Sequence, residues 1–328
     1  MNISDGIKQA GAACFDFDPV ALRRREHGGA PDGVLFDVER DGVPFIIKFI
    51  PTTPDAINAT REKIEFVHHL GINGVNVPDY LSSAGGKRVE LVESEGETFA
   101  VLKMRRASGR HIWELLGWDT ARWPDSFFER WGQTLGRIHA LSQRYAGGTA
   151  IAHWTAEHSS FVDWCSDPAV GEKWQQVGET LHALPEPADA FGLTHNDLHT
   201  GNMLVDGDTI TVLDFDVCTR HWFALDIAIA LFHPIWEHRH RPAPQIEAFA
   251  QRLTRLFMAG YCRENTLDPA WIERLPLFAR YRQILSFIAL SGQDEPGPNP
   301  WREAQLRDLR RWIVDDLPIP GAAIMARG

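Results

Sequence analysis

Short apolar runs separated by turn residues characterise the first third of the chain. Residues 34–38 and 45–50 flank Asp41-Gly42, and an Asp-Gly pair between two apolar runs predicts a β-hairpin. The spacing becomes helical over residues 56–70, where four apolar side chains can share one face. Those side chains belong to Ile57, Ile64, Val67 and Leu70.

A second strand pair and a long helical region follow. Residues 87–93 and 98–104 predict two further strands. Beyond them, apolar residues recur at intervals of three and four, which is typical of amphipathic helices. The stripes are Phe127, Trp131, Leu135 and Ile138; Ile246, Phe249, Leu253, Leu256 and Phe257; and Ile284, Leu285 and Ile288. One hairpin signal, over residues 203–213, is embedded in this helical region.

This order of elements predicts an α+β fold with two domains. Residues 1–104 are expected to form a small β-rich N-terminal lobe, and residues 105–328 a larger, mostly helical C-terminal lobe. The boundary should fall within residues 103–109. The length of 328 residues and the 44% hydrophobic content agree with this, at about 100–200 residues per domain. Clefts between lobes are favoured ligand sites.

Charge and cysteine usage narrow the class of protein. The net charge of −11 argues against a nucleic-acid partner and suits a cationic small substrate. No apolar run approaches the roughly 20 residues of a membrane span, and the first residues do not resemble a secretory signal. The cysteines form no CxxC pair, which is typical of reduced side chains. We therefore expect a cytoplasmic protein without a membrane partner, either a monomer or a homodimer. The cysteines are Cys14, Cys165, Cys218 and Cys262.

The motif His195–Asn202 carries the strongest chemical signal. It precedes the predicted hairpin, and Leu213-Asp214-Phe215-Asp216 ends that hairpin. Asp197, Asn202 and Asp214 can converge if the loop folds back. Phosphoryl transfer needs such a set: one carboxylate takes the proton of the attacking hydroxyl, while a second carboxylate and a neutral oxygen ligand hold magnesium on the nucleotide phosphates. The alternative is a polar turn with ordinary turn residues.

The segments HNDLHTGN and VLDFD resemble the aminoglycoside phosphotransferase and choline kinase-like superfamily. The resemblance covers most of the chain and implies a bilobal protein-kinase-like fold with ATP and Mg²⁺ in the cleft. It implies that Asp197 is the catalytic base, that Asn202 and Asp214 are magnesium ligands, and that His195 braces the catalytic loop. Asp226, at the start of a later helix, is implied as a second brace of that loop.

A single lysine in an apolar strand completes the expected nucleotide site. Lys48 is the only charge in FIIKFI, and alone it would be interpreted as facing solvent. Beside the catalytic motif, it is expected to contact the α- and β-phosphates. A kinase lysine needs an acidic partner on the following helix. We prefer Glu62 for this partner and keep Glu65 as the alternative.

Two further segments have weaker signals. Gly28 and Gly29, with Asp32, lie where a phosphate-covering turn is expected, although the segment lacks a complete GxGxxG pattern. Met104 lies in the linker 103–107, whose backbone is expected to contact adenine; the choice between ATP and GTP stays open. Asp216 either assists the metal or caps the turn.

Three histidines near the end of one predicted helix could suggest a metal site. His233, His238 and His240 lack a clean one-face spacing, so we interpret them as an exposed helix end.

These features predict an ATP-dependent kinase that phosphorylates a hydroxyl of a small molecule. The segments around residues 131–141 and 214–234 are similar to a branch that contains amicoumacin kinase-like antibiotic phosphotransferases, which implies antibiotic resistance. One alternative is a metabolic kinase for homoserine or a choline-like amino alcohol. Others are a stress-response Ser/Thr protein kinase and a catalytically inactive interaction module. The short segment of about eight residues between Asp214 and Trp222 favours a small acceptor.

Overall fold

The computed structural model describes residues 2–25, 33–54, 56–292 and 297–327. The chain divides into two compact units. We call the first the β-rich unit; it comprises Met1–Arg110, Tyr145–Ile151 and Leu204–Asp216. We call the second the helical unit; it comprises His111–Arg144, Ala152–Met203 and Val217–Gly328.

Helices and strands follow one another in an α+β order, as predicted. The helices are α1 (Asp5–Cys14), α2 (Ile57–Ile72), α3 (Ile112–Leu116), α4 (Asp125–Ser142), α5 (Trp154–Trp164), α6 (Pro168–His182), α7 (Phe223–Glu237), α8 (Ala243–Tyr261), α9 (Pro269–Ile272), α10 (Leu275–Ser291), α11 (Pro300–Val314) and α12 (Ala322–Met325). The strands are β1 (Arg23–Arg24), β2 (Val34–Arg40), β3 (Val43–Pro51), β4 (Tyr80–Leu81), β5 (Val89–Ser94), β6 (Glu97–Arg105), β7 (Phe191–Thr194), β8 (Met203–Asp206), β9 (Thr209–Val212) and β10 (Thr219–Trp222).

An antiparallel sheet forms the centre of the β-rich unit. Its order is β1-β2-β3-β6-β4, and β5 pairs with β6. The predicted hairpin is confirmed: β2 and β3 pair from Val34↔Phe49 to Arg40↔Val43. Asp41 and Gly42 both have positive φ, 54° and 76°, the backbone that a two-residue hairpin turn requires. The predicted pairing of β5 with β6 is also confirmed.

Helix α2 buries the face that its spacing predicts. Ile57, Ile64, Val67 and Leu70 are each at most 5% exposed. This burial fixes the rotation of α2 about its axis, and therefore the direction in which its polar residues extend.

Close backbone contact characterises the main helix pair of the helical unit. A Cβ atom added at Gly132 of α4 would lie 1.8 Å from the carbonyl oxygen of Phe257 in α8. A Cβ atom added at Gly136 or at Gly260 would lie 2.5 or 1.9 Å, respectively, from a backbone carbonyl oxygen of the opposite helix. Only glycine permits this approach. Beside this pair, α7 is buried over nearly its whole length, so that its first turn is held in the core of the unit.

The embedded hairpin of β8 and β9 is confirmed, but most of it belongs to the β-rich unit. The N–H of Val212 donates to the carbonyl of Asn76 at 2.9 Å, and Val205 and Arg110 exchange backbone hydrogen bonds. The sequence-based division within residues 103–109 places this hairpin in the second lobe, because backbone pairing with a distant segment leaves no local signal. None of the helices in the described ranges is long and apolar enough to cross a membrane.

Candidate active site

The loop that follows β7 carries the predicted catalytic residues and is anchored by α7. Asp226, in the first turn of α7, accepts hydrogen bonds from the backbone N–H groups of His195 at 2.8 Å and Asn196 at 2.7 Å. His195 is fully buried, and its Nδ1 accepts from the N–H of Asp197 at 3.2 Å. The expectation that Asp226 braces this loop is confirmed.

Asn196 is held in an unusual backbone conformation immediately before Asp197. Its φ of 67° lies in the left-handed region, which asparagine tolerates better than most residues. Such conformations persist where the surroundings hold them, and they are concentrated at functional sites. Here the N–H bonds to Asp226, while the side-chain amide donates to Glu157 and to the carbonyl of Val217.

The structure brings Asp197 and Asn202 together, as the motif predicts. The amide nitrogen of Asn202 donates to the Asp197 carbonyl and to its Oδ2, both at 2.9 Å. The carbonyl oxygen of the Asn202 side chain is therefore the atom it can offer to a cation. His199 lies 3.5 Å from the same carboxylate oxygen of Asp197.

Arg282 of α10 binds the other carboxylate oxygen of Asp197, a contact that the sequence did not predict. Its Nη2 donates to Asp197 Oδ1, and its Nε donates to Nε2 of His233 at 3.0 Å. Burial alone would raise the pKa of Asp197, but the guanidinium and the nearby His199 outweigh it, so this pKa lies well below its usual range. Burial and Arg282 lower the pKa of His233, which keeps that ring neutral.

In the β-rich unit, Lys48 is buried between two carboxylates. Its side chain is 6% exposed, and its Nζ lies 3.2 Å from Asp214 and 2.5 Å from Asp216. Burial would lower the pKa of Lys48, but Asp216 and Asp214 raise it well above the ordinary value, so the ammonium is charged. The solvent-facing interpretation of this lysine is therefore wrong. Asp214 has a positive φ of 59°, as Asn196 does.

The acidic partner of Lys48 differs from the residue that the sequence suggested. Glu62 accepts instead from the hydroxyl of Thr149 at 3.2 Å and from the N–H of Ala150 at 2.5 Å. Glu65 is the other candidate, and it pairs with Arg88 at 3.0 Å. The physical reason is the rotation of α2, whose buried apolar face directs both glutamates elsewhere. The side chain of Lys63 in the same helix donates to the backbone carbonyl of Asp216.

The structure places only one of the remaining residues predicted for the nucleotide site. Gly28, Gly29 and Asp32 lie outside the described residues. Met104 is 8% exposed within β6, where it lies between Ile46 of β3 and Tyr80 of β4. Its contact with adenine stays a prediction.

The donor set of these residues suits magnesium. Asp214 and Asp216 supply two carboxylates within the β-rich unit, and Mg²⁺ prefers such hard oxygen ligands and keeps several waters or phosphate oxygens. No group of three or more His, Cys, Asp or Glu that could hold a metal occurs among the described residues.

The histidines of the α7 end are only in part the exposed group that the sequence suggested. His238 is 3% exposed and bonds to Thr120, while His240 is exposed beside Asp308. His233 faces Arg282, as described above.

Comparison with known proteins identifies the family. The profile of the APH phosphotransferase enzyme family matches residues 21–264. The chain is 30% identical over 296 residues to amicoumacin kinase of Bacillus subtilis (strain 168), covering 88% of this chain and 86% of that protein. It is 24% identical over 255 residues to homoserine kinase of Rhodopseudomonas palustris (strain TIE-1), covering 74% and 66%.

A solved structure has a similar fold over almost the whole chain. It is the amicoumacin kinase hAmiN in complex with AMP-PNP, Ca²⁺ and Ami. The TM-score is 0.80 at 26% identity, covering 94% of this chain and 92% of that one. That protein therefore binds an ATP analogue and a divalent cation on a fold of the same kind.

Proposed function

This chain belongs to the phosphotransferase enzyme family, and from that premise we propose that it transfers the γ-phosphoryl group of Mg-ATP to a hydroxyl of an antibiotic of the amicoumacin or aminoglycoside type. The observation that carries the proposal is the arrangement of Asp197, which is half-buried, ionised and bonded to Asn202. The 30% identity to an amicoumacin kinase supports the antibiotic acceptor.

Each residue of the proposed site has a physical role. Asp197 orients the acceptor hydroxyl and takes its proton, which adds about 10²–10⁴-fold to the rate. Asn202 and Asp214 are the proposed magnesium ligands, and the metal supplies neutralisation of phosphate charge when bound. Lys48 holds the α- and β-phosphates as a buried point charge. His195 holds the loop and does not contact substrate.

A panel of acceptors tests this function. The purified protein is incubated with Mg-ATP and each of a set of hydroxylated compounds, which includes amicoumacin, cationic aminoglycosides, homoserine and choline. Mass spectrometry should detect the gain of one phosphoryl group on an antibiotic. Asp197→Asn should abolish this product and leave Mg-ATP affinity, measured by calorimetry, within about twofold, because the base does not hold nucleotide. Wild-type turnover by this variant would refute the role of Asp197.

An amino-alcohol kinase is the second candidate function. The similarity to a homoserine kinase supports it, and the same panel decides, since phosphorylation of homoserine or choline alone would replace the antibiotic proposal. The Ser/Thr protein kinase alternative is less well supported. Strand β10 begins at Thr219, soon after Asp216, which leaves little chain for a long regulatory loop.

A further inference from the structure

The carboxylate of Asp197 is fixed by a residue outside the sequence motif. Arg282 lies 85 residues further along the chain, and its side chain is only 11% exposed. One nitrogen of the guanidinium donates to Asp197 and another donates to His233, which is neutral and accepts at 3.0 Å. Because the guanidinium is planar with fixed donor directions, two such bonds determine its orientation and that of the carboxylate it faces.

A second carboxylate connects both sides of this ion pair. Glu157 of α5 accepts from the side-chain amide of Asn196 and from the hydroxyl of Tyr281 at 3.0 Å. Asn196 directly precedes Asp197, and Tyr281 directly precedes Arg282. Glu157 therefore holds the chain neighbours of both partners at once.

Stability alone is a weak reason for such an arrangement. A buried ion pair loses in desolvation much of what it gains in attraction, and apolar residues of similar size often stabilise a fold equally well. What this arrangement does supply is orientation, since Asn202 and Arg282 each fix one oxygen of Asp197. Misplacement of a reacting group by about 1 Å can cost about 10²-fold in rate.

We propose that Arg282 and Glu157 are positioning residues for phosphoryl transfer: Arg282 orients the carboxylate of Asp197 toward the acceptor, and Glu157 holds the neighbours of both. The proposal rests on the proposed function, because it assigns these residues to the reaction that Asp197 serves. Neither residue needs to contact nucleotide, so their loss should lower kcat and leave the KM for ATP almost unchanged.

The test compares matched substitutions on one helix. Arg282→Ala should lower kcat by about 10²-fold and Arg282→Lys by about tenfold, with the KM for ATP within about twofold. Arg280→Lys is the control, because Arg280 bonds to Gln283 and to the carbonyls of Trp312 and Leu317, away from Asp197. Its kcat should match that of the wild type. Circular dichroism verifies that each variant is folded. If Arg282→Ala does not fold, the kcat of Arg282→Lys tests the role of Arg282.

Two readouts separate positioning from a structural role. Added guanidinium ion should restore part of the activity of Arg282→Ala and none of the activity of Asp197→Ala. Glu157→Gln should stay within about threefold of the wild-type kcat, since an amide can accept from Asn196 and donate to Tyr281, whereas Glu157→Ala should lose about tenfold. Equal loss in both Glu157 variants would overturn the role of Glu157, and wild-type kcat in Arg282→Ala would overturn that of Arg282.

The assay distinguishes this proposal from the proposed function. Phosphate release from Mg-ATP, with water as acceptor, is measured beside phosphorylation of amicoumacin. A wild-type enzyme that hydrolyses ATP but leaves amicoumacin unchanged contradicts the proposal of an antibiotic acceptor. In that case, the ATP hydrolysis rates of the variants relative to the wild type still test the positioning roles. A wild-type enzyme that does neither overturns both proposals.

Discussion

Replacing Glu157 with glutamine should change how the stability of the protein depends on pH. Burial raises the pKa of Glu157 from the ordinary 4.5 to about 7, and the hydrogen bonds from Tyr281 and Asn196 only partly oppose it. The native state therefore holds this proton at a pH where the unfolded chain has released it. Glutamine cannot titrate, so the variant isolates the contribution of this one carboxyl group.

The sign and size of the effect follow from the two pKa values. The raised pKa contributes stability that is fully present below about pH 4.5 and is lost as the pH rises through about 7. At about 1.36 kcal/mol per pKa unit, the rise from 4.5 to about 7 corresponds to at most about 3 kcal/mol. The residue as a whole is partly exposed, which reduces this value, so we expect a loss of about 1–3 kcal/mol.

Denaturant unfolding from about pH 5 to about pH 8.5 measures this difference. The stability of the wild type should fall with rising pH relative to Glu157→Gln, with most of the change between about pH 5 and pH 7 and little further change above about pH 8. Glu179→Gln is the matched control, because Glu179 is exposed on α6 and the same change of side chain is made there on the surface. A flat difference for Glu157→Gln, or one of opposite slope, would refute the reasoning.

Three further substitutions, the last with a matched control, test other parts of the structure. Asp214→Ala should weaken the affinity for Mg-ATP, and calorimetry that finds unchanged affinity would exclude the metal role. Asp216→Asn removes the 2.5 Å partner of buried Lys48 and should cost about 1–3 kcal/mol of stability, visible as a lower melting temperature. Gly132→Ala places a Cβ atom 1.8 Å from a carbonyl oxygen of α8 and should lower the stability by about 3 kcal/mol or more, visible as a lower melting temperature. Gly171→Ala is its control: the nearest atom to an added Cβ is 3.8 Å away, so the melting temperature should stay unchanged or rise.

Features set by neighbouring residues could be predicted from the sequence. Asp41-Gly42 determines its hairpin turn locally, because few other pairs adopt positive φ at both positions. The approach of Asn202 to Asp197 is also local, since a gap of five residues in a polar loop lets the amide reach back to the carboxylate. Asp226 was recognisable only through the resemblance, since an acidic residue in a first helical turn is common.

Features that depend on packing between distant helices could not be predicted. Arg282 lies on α10 beside an apolar stripe, where an arginine ordinarily extends along the helix surface into water. Glu157 looks like any acidic residue in the first turn of a helix. The prediction of the Lys48 partner was wrong for a related reason. The rotation of α2 is set by the residues that it buries, and Asp216 comes from the loop between β9 and β10, far along the chain.

The strained backbone before Asp197 explains why this loop depends on residues outside its motif. A non-glycine residue at positive φ costs of the order of 1–3 kcal/mol, so Asn196 keeps its φ of 67° only if other contacts oppose that cost. Asp226 supplies one such contact to the backbone N–H, and Glu157 supplies another to the side chain. Removing either contact leaves the strain free to relax, and relaxation at Asn196 displaces the carboxylate of Asp197 next to it. Turnover should therefore respond to these two supports before nucleotide affinity does.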